Sequence, residues 1–135
     1  MVPAACFVWY VGNNQWRQIT GTGCAHWVAH QLNIRASGND PHCLEGYIYR
    51  VASLVRRTTP VALSDLRVHD VYVNPAADHT GLVVRIIPGA SRTGQSQGAP
   101  QIWIRHDSSR QGHVADNEFA TYFNGQGTFR RYTGR

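Results

Sequence analysis

The sequence predicts a single α+β domain in which an early helix packs on an antiparallel sheet. Apolar residues recur at roughly helical spacing over residues 21–32, a β-branched run covers 79–87, and a second strand-like segment covers 101–106. An early helix followed by antiparallel strands is an α+β plan. The 135 residues are enough to form one core, so we expect one domain over residues 1–135.

The charge pattern narrows the expected partners. All 13 basic residues are arginine and the net charge is +5, which favours contact with carboxylates or phosphates. The arginines are scattered apart from the pairs at 56–57 and 130–131, without the basic tract of a nucleic-acid binder, so we expect no nucleic-acid partner. No apolar run approaches the roughly 20 residues of a membrane span, and we expect no such span.

Residues 1–20 predict a β-hairpin. Its strands are residues 7–11 and 16–19, with a polar turn at Gly12-Asn13-Asn14. Residues 2–11 are apolar but lack a positively charged n-region and a following cleavage site, so they indicate a strand rather than a signal peptide. Action outside the cytoplasm would then depend on delivery, or on a larger secreted protein that contains this chain.

The remaining elements follow from periodicity and from breaker residues. The first helix is expected to end near Asn33, and apolar residues spaced by 3, 4 and 7 predict a second helix over 44–57. The other expected elements are, in order, a loop at 35–42, a strand at 66–73, a turn at 74–78, a strand at 79–87, a loop at 88–100, a strand at 101–106, a short helical or irregular turn at 117–123 and a closing strand at 128–132.

Cys24 is the principal candidate for a reactive group. Thr22 is suited to cap the first helix, which places Cys24 in the first turn, where backbone amides and the helix dipole stabilise a thiolate. The competing interpretation is that Cys24 is a small buried hydrophobe, as most unpaired cysteines are. Because the chain has three cysteines, Cys6 and Cys43 can pair while Cys24 remains a thiol.

His79 and His106 are the candidate partners of that thiol. His79 begins a strand two residues before Gly81, whose missing side chain leaves room for a close approach. If the 88–100 loop joins an antiparallel pair, the start of the strand at 79–87 lies beside the end of the strand at 101–106. The two imidazoles are then neighbours, which is the geometry that a Cys-His-His relay requires.

The chain contains four short segments in this order: GCAHWV at 23–28, LRVHDVYV at 66–73, HTGLVV at 79–84 and IRHDSS at 104–109. In this order they resemble the motifs of NlpC-type papain-like cell-wall cysteine peptidases, and the related CHAP amidases share much of the same order. The resemblance extends from about residue 21 to the pair at 130–131, and it implies a papain-like fold with the cysteine on a helix packed against the sheet.

The resemblance also implies roles for individual residues. Cys24 corresponds to the nucleophile, His79 to the base and His106 to the third, orienting residue. Asp107 competes with His106 for the third role, because a carboxylate orients an imidazole at least as well. The two side chains alternate along a strand, so the face turned toward Cys24 decides between them. Asp70, in the second motif, is interpreted as a turn or hydrogen-bonding residue.

The activity that the resemblance implies is hydrolysis of amide bonds in peptidoglycan peptides through an acyl intermediate on Cys24. The backbone N–H of Cys24 is the natural oxyanion donor. An antibacterial toxin or a lysin would have this activity. A delivered toxin would need an immunity protein as its partner. No cofactor is expected. Two alternatives stay open. One is the same fold used as an acyltransferase or deamidase, and the other is a non-enzymatic binding module in which Cys24 is buried.

His26 and His30 form a second pattern with chemical potential. They lie four residues apart on one helical face, and His42-Cys43 adds two further ligand types, but no HExxH glutamate accompanies them. Such a pair is more often polar surface, so no metal site is predicted. His26 also stands where NlpC-type enzymes have a small residue, and it would be a substrate contact or a rival base if it pointed into the cleft.

Overall fold

The computed structural model describes residues 23–89, 99–108 and 113–134, with the backbone alone at residue 113. The predicted hairpin, the N-cap Thr22, Cys6 and most of the loop at 88–100 lie outside these residues. Within the described ranges no helix is long and apolar enough to cross a membrane.

One antiparallel sheet of six strands, with two α-helices, makes up the described fold. The strands stand in the order β1-β6-β2-β3-β4-β5, and every registered pair is antiparallel. This confirms the predicted α+β class. The elements are α1 (Gly23–Leu32), α2 (Val51–Arg56), β1 (Thr59–Val61), a 3-10 turn (Leu63–Asp65), β2 (Val71–Val73), β3 (Thr80–Ile87), β4 (Gln101–Ser108), β5 (His113–Glu118) and β6 (Thr128–Arg131).

The helix α1 ends as predicted, near Asn33. Asn33 has a φ of 57°, the left-handed conformation that commonly stops a helix, and the amide of Ile34 donates to the carbonyl of Ala29. Every residue from Cys24 to Ala29 is buried. Over these residues α1 is therefore a core helix, without the exposed face of an amphipathic surface helix. It packs on β3 and β4.

The predicted second helix over 44–57 is wrong for its first half, because α2 contains only Val51–Arg56. Residues 42–48 instead fold back on themselves through an isolated bridge between His42 and Ile48, and a second bridge joins Tyr47 to Arg35 in the preceding segment. Gly46 has a φ of 92°, which no right-handed helix contains. The bridges satisfy backbone groups that a helix would have used.

The predicted strand over 66–73 shortens to Val71–Val73. Before it, the amide of Asp70 donates to the carbonyl of Arg67, and the Asp70 carboxylate accepts from the Arg67 amide, so residues 67–70 form a closed turn. His69 has a φ of 79° within that turn.

Two strands were not predicted. β1 lies between the predicted helix at 44–57 and the predicted strand at 66–73, and it stands at the sheet edge, where its Pro60 is tolerated. β5 covers residues that were assigned in part to an irregular turn, and only the part after Glu118 is a turn.

The sheet separates two clusters of buried residues. On one face, α1 and α2 cover Val71, Val73, Leu82 and Val114. On the other face, Tyr72, Val83, Ile104 and Phe129 form a second cluster, with Phe119 and Phe123 packed against it. Tyr72 is therefore a core residue. Side-chain alternation assigns each strand residue near the site to one of these faces.

Candidate functional site

The two predicted imidazoles are in direct contact. The Nε2 atom of His79 lies 2.7 Å from the Nδ1 atom of His106, and the rings meet edge to face. β3 and β4 are antiparallel, with Leu82 opposite Arg105, so the start of β3 lies beside the end of β4. The prediction that His79 and His106 are neighbours is confirmed.

Gly81 allows β3 and β4 to approach at this point. A Cβ atom built on Gly81 would lie 2.7 Å from Cγ2 of Ile104 and 2.9 Å from Cβ of His106. These separations are below those that real Cβ atoms adopt. The close approach that the sequence suggested is therefore made by the neighbouring strand, and Gly81 is needed for the position of His106.

The turn before β3 fixes the backbone of His79. The Oδ1 atom of Asn74 accepts hydrogen bonds from the amides of Asp78 and His79, each at 2.9 Å. The backbone N–H of Asn74 in turn donates to the backbone carbonyl of His79 at 3.0 Å. The side chain and the backbone of Asn74 thus both bond residues at the end of the turn, and these bonds fix the backbone position of His79.

Cys24 reaches the same region from the first turn of α1. It is a thiol rather than half of a disulfide, and it is 6% exposed. Its Sγ atom lies 4.0 Å from the carbonyl oxygen of Asp78, the residue before His79. The start of α1 therefore abuts the segment that carries His79.

Asp107 lies on the other face of β4. It stands opposite Val114, which belongs to the cluster under α1, whereas His106 shares a face with Ile104 in the second cluster. The face that α1 covers thus carries Asp107, although His106 is the residue whose ring contacts His79. His79 precedes the first residue of β3, so it lies at the end of the sheet and bonds His106 from there.

Asn117 extends the chain of side chains and was missed in the sequence. Its Oδ1 atom lies 2.8 Å from Nε2 of His106. Ala115 stands opposite His106 and Asn117 stands opposite Ile104, so Asn117 is the diagonal neighbour of His106 on the same face. No local signal in the sequence reveals this contact, because it depends on the register between β4 and β5.

Aromatic rings shield the imidazoles from water. Phe123 is stacked against His79 and meets His106 edge to face, and Tyr122 lies 5.4 Å from His106 between ring centres. Burial, followed by the nearby His106, lowers the pKa of His79 to about 4, while Asp78 and Asp107 oppose the shift. Burial also lowers the pKa of His106, against the effect of its bond to Asn117. Both rings are therefore neutral at pH 7, the form in which an imidazole accepts a proton.

His26 does not point into this site. It is fully buried, so the polar-surface interpretation is wrong for it, and its Nε2 atom lies 3.1 Å from Nε2 of His30. Two positions along a helix correspond to about 200°, so His26 lies on the side of α1 opposite Cys24, against Tyr49. Burial, with a smaller effect of His30, lowers the pKa of His26 to about 4.

The His26 and His30 pair lies near the sulfur of Cys43. The ligand atoms of these three residues fall within 4.8 Å of one another, a spacing suitable for a metal ion. Cys43, however, is disulfide-bonded, so its sulfur is not the thiolate that coordinates zinc. Two imidazoles are fewer protein ligands than a zinc site contains. This cluster is therefore a packing feature of α1 in the oxidised protein.

Asp70 is a hydrogen-bonding residue, as predicted. Its buried carboxylate receives two bonds from Arg131, at 2.8 and 2.9 Å, in addition to the bond from the Arg67 amide. The pair ties the turn before β2 to β6. The second of the four motifs therefore contributes to the framework of the sheet.

Comparison with protein-family models, with curated proteins and with solved structures finds no match to this chain.

Proposed function

We propose that this chain is a papain-like cysteine hydrolase that cleaves amide bonds of peptidoglycan peptides, as an amidase or endopeptidase. One observation carries the proposal. A thiol in the first turn of a buried helix adjoins the segment leading into a hydrogen-bonded imidazole pair, His79 and His106. Nucleophile, base and orienting group are the three parts that acyl transfer by cysteine requires.

The chemistry runs through a thioester. His79 takes the thiol proton while Sγ of Cys24 attacks the amide carbonyl, and the backbone N–H of Cys24 donates to the developing oxyanion, an interaction worth about 3 kcal/mol in comparable sites. The C–N bond then breaks, and His79 gives its proton to the leaving amine. Water, deprotonated by His79, cleaves the thioester, releasing a carboxylic acid and the thiol.

The substrate class rests on the four ordered motifs and on charge. The motifs resemble those of NlpC-type enzymes, and a net charge of +5, all from arginine, suits a substrate rich in carboxylates. Delivery as an antibacterial toxin or a lysin accords with this substrate, and a toxin would be held inactive by an immunity protein.

The test is digestion of purified peptidoglycan by the full chain, with products analysed by mass. Each cleaved bond should add one water, and Cys24→Ala should reduce turnover by about a thousandfold or more while the thermal unfolding midpoint stays near that of the parent. His69→Asn is the matched control, because His69 is an exposed histidine with positive φ, which asparagine tolerates. Retained hydrolysis in Cys24→Ala would overturn the proposal, and an amine conjugate in place of the water adduct would assign a transferase.

The low exposure of Cys24, 6%, favours a second candidate, a binding module in which the thiol is a core residue. Alkylation by iodoacetamide separates the two. An activated thiol reacts faster than a small-molecule thiol and keeps reacting below pH 7, whereas a core thiol reacts slowly at every pH.

A further inference from the structure

Three side chains beyond Cys24 form a continuous hydrogen-bonded row that ends on an amide. His79 bonds His106 at 2.7 Å, and His106 bonds Asn117 at 2.8 Å. The geometry points to Asn117 as a positioning residue that fixes the tautomers of both imidazoles, so that Nδ1 of His79 carries the lone pair that serves as the base. The assignment of His79 as base rests on the proposed function, but the tautomers themselves do not.

The argument begins at the amide. An amide oxygen only accepts hydrogen bonds, so Nε2 of His106 must carry the proton that Oδ1 of Asn117 receives. A neutral imidazole has one N–H, so Nδ1 of His106 is then an acceptor. The proton in the bond between the rings must therefore sit on Nε2 of His79. Nδ1 of His79 is left without a proton.

The opposite orientation of the amide reverses every step. If the NH₂ group of Asn117 donated to His106, Nδ1 of His106 would carry a proton and donate it to Nε2 of His79. Nδ1 of His79 would then be protonated and could take nothing from a thiol. The side-chain orientation of one asparagine thus decides whether His79 is a base at neutral pH.

A neutral amide at the end of the row also suits the reaction. After His79 takes a proton at Nδ1, its Nε2–H still bonds the unprotonated Nδ1 of His106, so the imidazolium keeps its acceptor without any proton moving along the row. A carboxylate at position 117 would accept the same bond, but its charge would favour a protonated His106. A protonated His106 has no acceptor left for His79.

The register of the sheet makes this arrangement specific. Asn117 reaches His106 only because Ala115 stands opposite His106, which places Asn117 on the same face two residues further along β5. The residues on either side, Asp116 and Glu118, are acidic and point to the other face. Of these three consecutive polar residues, the register selects the amide.

The experiment compares Asn117→Leu, which removes the acceptor at similar volume, with Asn117→Asp, which keeps an acceptor oxygen. Nitrogen-15 NMR of the imidazoles in each full-length protein reports which ring nitrogen is protonated. The rate of Cys24 alkylation by iodoacetamide against pH reports the base without any substrate. Asn39→Leu, the same substitution in an exposed turn, is the control.

We expect both rings of the parent to be Nε2–H tautomers at pH 7. Asn117→Leu should mix the tautomers and slow alkylation by about ten- to a hundredfold, by analogy with the loss of the partner that orients a metal-bound imidazole. Asn117→Asp should keep His106 protonated at Nε2 and move the acid limb of the alkylation profile to higher pH. The control should match the parent.

A proton on Nδ1 of His79 in the parent, or tautomers in Asn117→Leu that equal those of the parent, would overturn the inference. The same NMR result combined with no cleavage of peptidoglycan would instead overturn the proposed function and leave the tautomer assignment standing. Failure of the two ideas is therefore distinguishable in one set of proteins.

Discussion

At the scale of single residues, the geometry of the site depends on positions where adding a single side-chain atom would displace a neighbouring residue. Gly81 is such a position, because the strand beside it occupies the space where its side chain would be. The sequence indicated the close approach, but the occupant of that space, His106 with Ile104, follows only from the pairing of β3 with β4.

We expect Gly81→Ala to destabilise the fold by about 1–3 kcal/mol and to lower activity by displacing His106, because the added methyl group overlaps Ile104 and His106. Urea unfolding and the rate of Cys24 alkylation measure the two effects. Gly38→Ala is the control, since a Cβ there meets no atom within 4 Å and costs only the strain of a φ of +58°. Equal loss of alkylation rate in both variants would contradict this account.

The candidate site was predictable at the residues with chemical signatures of their own. Cys24 in a helical first turn and His79 and His106 at strand ends were identified from residue type and local context. Asn117 was not, because an asparagine in a polar strand carries no sign of its partner. Strand parity in the sequence separates the faces of His106 and Asp107 on β4, but it does not locate His79, which lies beyond the end of β3.

At the scale of elements, prediction succeeded where a segment carries its own breakers and periodicity. The helix α1, the turn at 74–78 and the strands β3, β4 and β6 have such signals, and the structure confirms them. The second helix was predicted too long because apolar residues at helical spacing also occur in residues 42–48, where Gly46 and two isolated β-bridges decide the conformation. β5 was missed because its residues gain their extended shape from pairing with β4.

The turn at 74–78 is the element on which the direction of His79 depends. We expect Asn74→Ala to destabilise the protein by about 1–3 kcal/mol, because two backbone amides lose their acceptor, and to reduce alkylation of Cys24. Thermal unfolding and alkylation rates measure these effects. Asp78→Ala is the control for stability, because it removes only the exposed side-chain bond to Asn74 and leaves both backbone bonds. A loss of stability as large as that of Asn74→Ala would refute the role of the backbone bonds.

At the scale of the whole molecule, neutral imidazoles are built into both sides of the fold. His26 is buried on α1 and His79 lies at the end of the sheet, and burial lowers the pKa of each to about 4. An unfolded chain has both histidines in water, near a pKa of about 6.5. Between these values the unfolded state binds more protons than the folded state, so stability must fall as the pH decreases.

We expect the free energy of unfolding to decrease as the pH is lowered from about 6.5 to about 4, by at most about 1.4 kcal/mol per pH unit for each of the two groups. Below about pH 4 both histidines are protonated in the folded and the unfolded state, so they cause no further change in the free energy of unfolding. Urea midpoints at several pH values measure the slope, and His26→Phe, which removes one of the groups, should make it shallower. A stability that is constant over the window would disprove the burial of neutral imidazoles.

The bidentate pair between Arg105 and Asp116, at 2.7 and 3.0 Å, lies directly across β4 and β5 on the face opposite His106. A slip of β5 by one residue would break this pair and would turn Asp116 or Glu118, instead of Asn117, toward the imidazoles. The row would then end on an anion, and His106 would favour its charged form. The alignment of two strands therefore decides between a neutral and a charged terminus, and a solvent-exposed ion pair on the helix-bearing face of the sheet is matched to that alignment.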